Sequence, residues 1–252
     1  MNGQAITFDF HNTLAACPEW FELEVKTLPS AFLGWWVALR GAAVDIASFD
    51  DADCQYRELR RDIMEHGNEL TAEACLEQVF ARMHLAISGD DIRDGVAHVM
   101  REALSGASPI PGAVATVREL HDTGVPIGVV SSAVYHPFLE WTLESFGLRD
   151  ALQVVITSAS AGFYKSRPEI FLHAAAALSA DPRRTVHIGD SLRYDVGGAS
   201  RVGMGTVWLR RDDARHSDDP YTPDLTLETL ESSSPRILDI LRSRQPAPAS
   251  HD

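Results

Sequence analysis

The pattern of apolar and polar positions divides the chain into two kinds of region. A short apolar and β-branched run at residues 5–8 predicts a buried strand. From about residue 15 to residue 105, apolar residues recur at helical spacing, as in the series Leu28, Phe32, Trp35, Trp36 and Leu39. Beyond residue 105, short apolar runs alternate with helical patterns. We therefore expect an all-helical module inserted after the first strand of an α/β protein.

Capping residues predict where the helices of the module begin and end. Pro29 suits a helix start, and Thr71 is a good N-cap for the helix that follows it. Either Asp90 or Asp91 is expected to cap a fourth helix, and Gly67 is expected to end the second.

The second part of the chain predicts a parallel sheet. Strand patterns end at polar or turn residues and are followed by helices, which implies parallel strands with helices on both faces. The predicted strands cover residues 126–130, 152–157, 185–188, 206–209 and part of 225–230. We expect a core domain of residues 1–14 and 106–242, a helical domain of 15–105, and a disordered tail of 243–252, which is rich in Pro, Ala and Ser.

The charge balance limits the partners of the protein. The chain has 252 residues, 45% of them apolar, and a formal net charge of −14. This charge argues against nonspecific binding to nucleic acid or to anionic membranes, so an anionic substrate needs a locally positive site. Lys26 and Lys165 are the two lysines among the 22 basic residues, which makes each a candidate for that site.

The cysteines and the hydropathy indicate the compartment. Cys17, Cys54 and Cys75 are odd in number and form no Cys-x-x-Cys pair. The chain enters its first strand almost at once, without a secretory signal, and no apolar run approaches the ~18 residues of a membrane span. We expect a protein of the reducing cytoplasm.

Polar side chains follow four of the predicted strands. They are Asp9 with Thr13, Ser131 with Ser132, Lys165, and Asp190 with Asp195. The carboxyl ends of parallel strands meet at one edge of a sheet, so these groups are expected to converge. Carboxylates hold Mg²⁺, while a hydroxyl and a cation bind phosphoryl oxygens, and an Asp can attack phosphorus. Each group also has a structural interpretation: Ser131 as a strand-end cap, Asp195 as a helix N-cap and Lys165 as a surface lysine.

The motifs that carry these residues resemble those of a known family. Their sequences are Phe-Asp-Phe-His-Asn-Thr-Leu, Val-Val-Ser-Ser, Gly-Phe-Tyr-Lys-Ser-Arg-Pro and His-Ile-Gly-Asp-Ser-Leu-Arg-Tyr-Asp. Their order resembles the haloacid dehalogenase (HAD) superfamily of hydrolases, and the helical module resembles that superfamily's cap domain. The resemblance implies a Rossmann-like fold and a hydrolase, most of all a phosphatase of a small phosphorylated metabolite.

The resemblance also implies roles for individual residues. It makes Asp9 the nucleophile and a Mg²⁺ ligand, with the backbone carbonyl of His11 and the Asp190 carboxylate as further ligands. It implies that Asp195 binds the metal or its water shell and that Ser191 supports that loop. It also implies that Ser131, backbone N–H groups near Ser132 and Lys165 bind the phosphate, and that Thr13 orients the Asp9 loop.

Two residues depart from the family pattern. His11 stands where the phosphatases carry the Asp that protonates the leaving oxygen and then activates water. Asn12 replaces a Gly, and this change is mild because Asn tolerates a positive φ. Three interpretations stay open. His11 is the acid/base of a phosphatase; or it marks a dehalogenase or phosphonate-cleaving enzyme, for which Arg40 or Lys26 would be candidate groups; or the chain is a weak relative that binds a phosphorylated ligand or a protein.

The start of the helical module is rich in aromatic residues, namely Trp20, Phe21, Phe32, Trp35 and Trp36. One interpretation is that these rings pack inside the cap, and the alternative is that one or two of them line an apolar part of the active site. An exposed aromatic face would instead support dimerisation through the cap. The choice between monomer and homodimer and the identity of the substrate stay open.

Overall fold

A computed structural model describes residues 3–41, 44–45, 47–211 and 220–244 of the chain. Its strands are β1 (Ala5–Phe8), β2 (Ala15–Ala16), β3 (Ser108–Pro109), β4 (Ile127–Ser131), β5 (Val154–Thr157), β6 (Thr185–Gly189), β7 (Gly205–Leu209) and β8 (Leu225–Leu227). Six of them form one parallel sheet in the order β5-β4-β1-β6-β7-β8. The predicted parallel α/β sheet is confirmed, and β1 lies inside it.

The helices fall into a group before β3 and a group after it. The first group is α1 (Pro18–Glu22), α2 (Leu28–Arg40), α3 (Ala47–His66), α4 (Ala72–Arg82) and α5 (Gly89–Ala103). The second is α6 (Ala113–Asp122), α7 (His136–Ser145), α8 (Ser158–Ala161), α9 (Glu169–Ala177), α10 (Gly197–Ser200) and α11 (Ser234–Ser243). Single π-helical turns cover Leu23–Thr27 and Leu192–Val196, and 3₁₀ turns cover Leu104–Gly106, Arg149–Ala151 and Pro182–Arg184. Helices α1 to α5 make up the helical cap.

Helices cover both faces of the sheet. The neighbouring residues Val129 and Val130 of β4 point to opposite faces and belong to two separate apolar clusters. The cluster of Val130 includes Phe171 of α9 and Ala199 of α10, whereas that of Val129 includes residues of α6, α7 and α11 and continues into the cap. This three-layer arrangement confirms the expected Rossmann-like fold class.

The chain passes between the sheet and the cap through a short strand pair that the sequence pattern did not predict. Ala15 pairs with Pro109, and Ala16 pairs with Ser108, in antiparallel register. Both predicted limits of the helical domain, residues 15 and 105, lie beside this pair. The numerical division into domains stays a prediction.

The cap is also joined to the sheet by a buried ionic cluster. Arg60 Nη1 of α3 donates to Glu69 Oε1 at 2.5 Å, and Arg60 Nη2 lies 3.4 Å from Glu24 Oε1. Val134 N donates to the Glu24 carboxylate at 2.8 Å, and Ser158 Oγ donates to that of Glu69 at 2.7 Å. Because Val134 and Ser158 follow β4 and β5, the cluster fixes the cap against the carboxyl edge of the sheet.

The helix boundaries agree with the capping predictions except at α5. Thr71 caps α4 by accepting from Ala74 N, and α3 ends at His66 before Gly67, whose φ is +78°. The predicted cap of α5 at Asp90 or Asp91 is wrong, because Ser88 Oγ accepts from the N–H of Asp91 instead. Ser is as strong an N-cap as Asp, and the two acidic residues then lie in the first turn, where the helix dipole favours them.

Three sequence expectations concern membrane spans, the tail and the cysteines. No helix among the described residues combines the length and the hydrophobicity that a membrane span requires. Most of the predicted disordered tail, 243–252, lies outside the described residues; helix α11 includes Ser243. Cys17 and Cys75 are buried, Cys54 is exposed, and all three are free.

Candidate active site

The polar residues that follow the strands meet in one cavity of about 300 Å³ between the sheet edge and the cap. Asp9 follows β1, Ser131 ends β4, and Asp190 follows β6. The cavity is lined by Asp9, His11, Asn12, Trp20, Phe21, Val25, Met64, Ser131, Ser132, Tyr164, Lys165, Asp190, Ser191, Tyr194 and Asp195. Of the residues to which the family resemblance gives a role, Thr13 alone is not in this lining, and its hydroxyl donates to Asp9.

Asp9 is held at the carboxyl end of β1. Its N–H donates to the carbonyl of Ile188 at 2.8 Å, which continues the β1–β6 pairing into the loop. One carboxylate oxygen, Oδ2, accepts from Thr13 Oγ1 at 3.2 Å, and the other contacts the ammonium of Lys165. Burial raises the pKa of Asp9 to about 6, with Asp195 adding to the rise and Lys165 opposing it.

Lys165 lies between two carboxylates. Its Nζ donates to Asp195 Oδ1 at 2.6 Å and also contacts Asp9 Oδ1, and the side chain is only 3% exposed. Burial acts against the charged form, but Asp195 and Asp9 outweigh it and raise the pKa of Lys165 above its ordinary value. The ammonium is therefore charged at neutral pH, and it is a buried group rather than a surface lysine.

Both oxygens of Asp195 are engaged by protein donors. Besides Lys165, Oδ1 lies 3.1 Å from His187 Nε2, and Oδ2 accepts from the N–H of Ser191 at 2.9 Å. Burial alone would raise the pKa of Asp195, but Lys165 and His187 hold it well below the usual range for a carboxyl. Asp195 is an ionised anchor for Lys165.

His187 is a site residue that sequence reasoning missed. Its Nδ1 lies 2.9 Å from Thr7 Oγ1, and Thr7 and His187 are paired across β1 and β6. A polar residue at matching positions inside two apolar strands was the available signal. The Thr7–His187–Asp195 chain of hydrogen bonds orients the carboxylate that holds Lys165.

Two backbone features shape the loops of the site. A Cβ atom at Gly189 would lie 2.2 Å from Asp195 Cγ, so glycine is required for the carboxylate to approach the strand end. Asn12 adopts a left-handed conformation with φ +62°, which explains why a residue tolerant of positive φ follows His11.

Asp190 is the third carboxylate of the cluster. Ligand oxygens of Asp9, Asp190 and Asp195 all lie within 4.8 Å of one another. Burial raises the pKa of Asp190 well above its ordinary value, and the charges of Asp9 and Asp195 add to the effect. Trp208 Nε1 donates to the Asp190 carbonyl at 2.8 Å and fixes the loop.

The donor set fits a hard divalent cation. Carboxylate oxygens are the ligands that Mg²⁺ prefers, and the cluster places three carboxylates beside the single ammonium of Lys165. Asp195 already has three protein donors, whereas Asp9 has two.

His11 lies against the cap. Its imidazole stacks on Phe21, with centroids 4.6 Å apart and planes inclined by 6°, and Trp20 lies 5.7 Å away. The Nδ1 atom is buried without a hydrogen-bond partner among the described residues. Burial, with a smaller contribution from Arg211, lowers the pKa of His11 to about 4. The ring is therefore neutral at neutral pH.

The two serines lie at the end of β4. Ser131 is buried at the cavity wall, and Ser132 Oγ accepts from the N–H of Lys165 at 3.4 Å. Ser132 thus contacts the loop that carries the lysine.

The aromatic residues of the cap divide between packing and the site. Trp20 and Phe21 line the cavity. Phe32 and Trp35 pack against each other inside the cap, and Trp36 Nε1 donates to Asp91 at 3.2 Å. The prediction that one or two rings line the cavity is confirmed.

The candidate groups for other reactions lie outside the cavity. Arg40 is exposed and forms an ion pair with Asp91 of α5. Lys26 is half-exposed and pairs with Glu22 at 2.9 Å. Neither side chain is positioned to contact a substrate at Asp9.

Comparisons with known proteins identify the family of the chain. A family model described as haloacid dehalogenase-like hydrolase matches residues 4–203. A glyceraldehyde 3-phosphate phosphatase of Methanopyrus kandleri is 33% identical over 139 residues, which cover 53% of this chain and 57% of the relative. A protein with the same description from Pyrococcus furiosus is 27% identical over 194 residues, 76% of this chain and 78% of the relative. The solved structure of a 2-haloacid dehalogenase from Pseudomonas syringae has a TM-score of 0.64 at 21% identity and covers 95% of this chain and 99% of its own, which shows a shared fold.

Proposed function

The chain belongs to the haloacid dehalogenase-like hydrolases, whose family model matches residues 4–203, and we propose that it is a Mg²⁺-dependent phosphatase of a small phosphate monoester. The observation that carries the proposal is the buried contact of Lys165 with both Asp9 and Asp195, beside the third carboxylate of Asp190. This arrangement combines a nucleophile, a cation for phosphoryl oxygens and a cation-binding cluster. The relatives described as phosphatases support the same reaction.

The metal is proposed to be held by the carboxylates of Asp9 and Asp190 and by the backbone carbonyl of His11. Asp195, which already has the three donors Lys165, His187 and Ser191, would support the metal through its water shell. When bound, Mg²⁺ offsets the negative charge of the phosphate and of the nucleophile.

In the first step, an oxygen of Asp9 attacks phosphorus. An oxygen–phosphorus bond forms to Asp9 while the bond between phosphorus and the leaving oxygen breaks, and the leaving oxygen keeps the electron pair and takes a proton from water. Thr13 holds the other carboxylate oxygen, so the attacking atom stays oriented. Lys165 and Ser131, with N–H groups near Ser132, bind the phosphoryl oxygens.

In the second step, water attacks phosphorus, and the bond between phosphorus and Asp9 breaks. We assign His11 as the group that accepts the proton of this water. Its imidazole is neutral at neutral pH and so is in the form that can accept a proton, and its lowered pKa makes it a weaker base than an ordinary histidine. The protonated form that the acid half of the expected acid/base role needs is scarce at neutral pH.

The alternative reactions have less support. A haloacid dehalogenase needs a partner for the substrate carboxylate, and a phosphonate-cleaving enzyme of the Schiff-base type needs a cap lysine. Arg40 and Lys26, the candidates for these roles, both lie outside the cavity. The third alternative, a weak relative that only binds its ligand, predicts the same cavity without turnover.

One experiment separates these functions. Phosphate release from a panel of phosphate esters is measured with Mg²⁺ and with a chelator, for the wild type and for Asp9→Asn. We expect turnover that requires Mg²⁺ and is lost in Asp9→Asn. Full activity of Asp9→Asn would overturn the mechanism. Halide release that resists the chelator would indicate a dehalogenase, and ligand-induced stabilisation without turnover would indicate a binding protein.

We also propose the reducing cytoplasm as the compartment, which suits three free cysteines. The partner in this proposal is a small phosphorylated substrate. Monomer and homodimer are both compatible with it.

A further inference from the structure

The part of the cavity lining that the proposed mechanism does not use is apolar. The cap contributes Trp20, Phe21, Val25 and Met64 to it, and Tyr164 and Tyr194 come from the core. The two tyrosine rings meet edge to face at 5.4 Å. We call these six residues the aromatic wall.

The lining offers one cation. Among the described residues that line the cavity, Lys165 is the only one with a positive side chain, and Asp9 and Asp195 already contact it. A substrate with a second phosphate or a carboxylate would meet no second cation in the lining, because Arg211, which donates to the carbonyl of Asn12 at 3.3 Å, lies outside it. The wall offers the hydroxyls of a polyol only the phenol groups of Tyr164 and Tyr194 and the indole N–H of Trp20, and an unpaired polar group costs free energy when it is buried.

Phe21 leaves apolar surface open to an occupant. It is 40% exposed, and the other large hydrophobic residues exposed to a similar degree among those described are Leu39 and Leu172, which lie outside the cavity. One face of its ring stacks on His11. The cavity of about 300 Å³ lies at the lower end of the range typical for small-molecule pockets, which limits the occupant to about one ring beside the phosphate.

We propose that the substrate is a phosphate monoester with a compact, uncharged aromatic leaving group, whose ring packs on the aromatic wall while the phosphate meets Lys165 and the acidic cluster. This inference rests on the proposed phosphatase function and names its substrate class. Flat rings suit a wall of aromatic side chains because they bury a large apolar area and stack at low entropic cost.

The test compares leaving groups of similar chemistry. Benzyl phosphate and glycerol 3-phosphate both release a primary alcohol, so a difference in kcat/KM reports recognition of the ring. We expect kcat/KM for benzyl phosphate to exceed that for glycerol 3-phosphate by about tenfold or more. Equal values, or a preference for glycerol 3-phosphate or for uridine 5′-monophosphate, would overturn the inference while leaving the phosphatase function intact.

Binding tests the wall without turnover. Benzylphosphonate and methylphosphonate lack a hydrolysable ester bond, and we expect the benzyl compound to bind about tenfold more tightly. If no ester is hydrolysed but this preference holds, the proposed function fails and the wall assignment stands. Equal affinities would refute the wall assignment directly.

Variants of the aromatic wall test whether its residues cause the preference for the ring. Val25→Thr nearly preserves the shape of the side chain, and Met64→Gln preserves its length. Both make the wall more polar without changing a residue of the proposed mechanism. Each is expected to lower the ratio of kcat/KM for benzyl phosphate to that for glycerol 3-phosphate by about threefold to tenfold. Leu39→Gln, at an exposed apolar residue of the cap outside the cavity, is the control and should leave the ratio unchanged. An unchanged ratio in both wall variants would contradict the proposal.

Discussion

Lys165 Nζ lies 2.6 Å from Asp195 Oδ1, in a site where both side chains are 3% exposed or less. The same ammonium contacts Asp9, and Asp190 completes a cluster of three carboxylates around one cation. The protein alone therefore leaves negative charge uncompensated in a buried place. This imbalance favours binding of a metal ion. It leads to two predictions, one for Lys165 and one for Asp190.

Replacing Lys165 by Met should reduce both stability and activity. Without the ammonium, Asp9 and Asp195 are buried beside each other with no cation, and loss of one partner of a buried ion pair costs about 3–5 kcal/mol. Loss of a donor to the phosphoryl oxygens should lower kcat by about 10²-fold or more. Urea denaturation and phosphate release measure the two effects.

The second lysine of the chain is a matched control. Lys26 is half-exposed and pairs with Glu22 on the cap surface. Lys26→Met should change the free energy of unfolding by less than about 0.5 kcal/mol, because exposed ion pairs contribute little. Equal effects of the two substitutions would contradict the assignment of Lys165.

Asp190→Asn should have opposite effects on stability with and without metal. In chelator, burial and the charges of Asp9 and Asp195 already raise the pKa of Asp190, so removal of its carboxylate should stabilise the fold by at most about 1 kcal/mol. With Mg²⁺ at a hundred times its Kd, the wild type should gain about 2.7 kcal/mol and the variant much less. Thermal unfolding in both conditions tests this, with Glu228→Gln at an exposed carboxylate as the control. An unchanged gain from Mg²⁺ in Asp190→Asn would exclude it as a ligand.

The sequence predicted the site better than the interface that holds the cap. Strand ends are local features, and parallel pairing brings them to one edge, so Asp9, Ser131 and Asp190 converge as expected. The positive φ of Asn12 likewise follows from its own side chain. The strand pair Ala15–Ala16 and Ser108–Pro109 is too short for a periodic pattern, so it was not predicted.

The buried cluster of Glu24, Arg60 and Glu69 shows why the docking of the cap could not be predicted from the sequence. Arg60 lies four residues after Tyr56 and three before Ile63, on the buried stripe of α3. This position was the available signal that Arg60 is buried. Its partners come from other segments and from loops after β4 and β5. Their identity depends on how the cap docks, which no local pattern contains.

Arg60→Met should destabilise the protein strongly. The substitution keeps an unbranched apolar stem but leaves Glu69 buried without its cation, which should cost about 3–5 kcal/mol. The neighbouring Arg61 is exposed, so Arg61→Met should be near neutral in the same urea denaturation. The double variant Arg60→Met with Glu69→Gln should recover part of the loss. A loss that is the same in the single and double variants would show that charge is not its cause.

Glu24 should make stability depend on pH. Burial raises the pKa of Glu24 to about 8, against a weaker lowering by Arg60, from 4.5 for an ordinary glutamate. Between about pH 5 and pH 8 the folded protein holds a proton that the unfolded chain has lost, so the free energy of unfolding falls as pH rises through this window. The slope from one such group is at most about 1.4 kcal/mol per pH unit.

Glu24→Gln should remove this dependence, because the amide resembles the protonated acid and still accepts from Val134 N. The variant should match the wild type near pH 5 and become more stable relative to it up to about pH 8, as measured by urea denaturation across the range. Glu22→Gln, at an exposed residue two positions away, should reproduce the wild-type profile. A variant less stable than the wild type at every pH would show that Glu24 is ionised and paired with Arg60.

His11→Asn should slow hydrolysis of the phosphorylated enzyme more than its formation. The substitution keeps the backbone carbonyl assigned to the metal but removes the imidazole that accepts a proton from water, and such a base contributes about 10²- to 10⁴-fold to rate. With 4-nitrophenyl phosphate, we expect a burst of about one nitrophenol per enzyme and then slow turnover, with the phosphoryl group detected on Asp9 by mass spectrometry. His66→Asn, at an exposed histidine of α3, controls for loss of an imidazole. Slow turnover without a burst would place His11 in the first step, as the donor to the leaving oxygen, and unchanged turnover would remove it from the mechanism. In either case the face-to-face contact with Phe21 would mean that the cap holds the ring for a reason other than water activation.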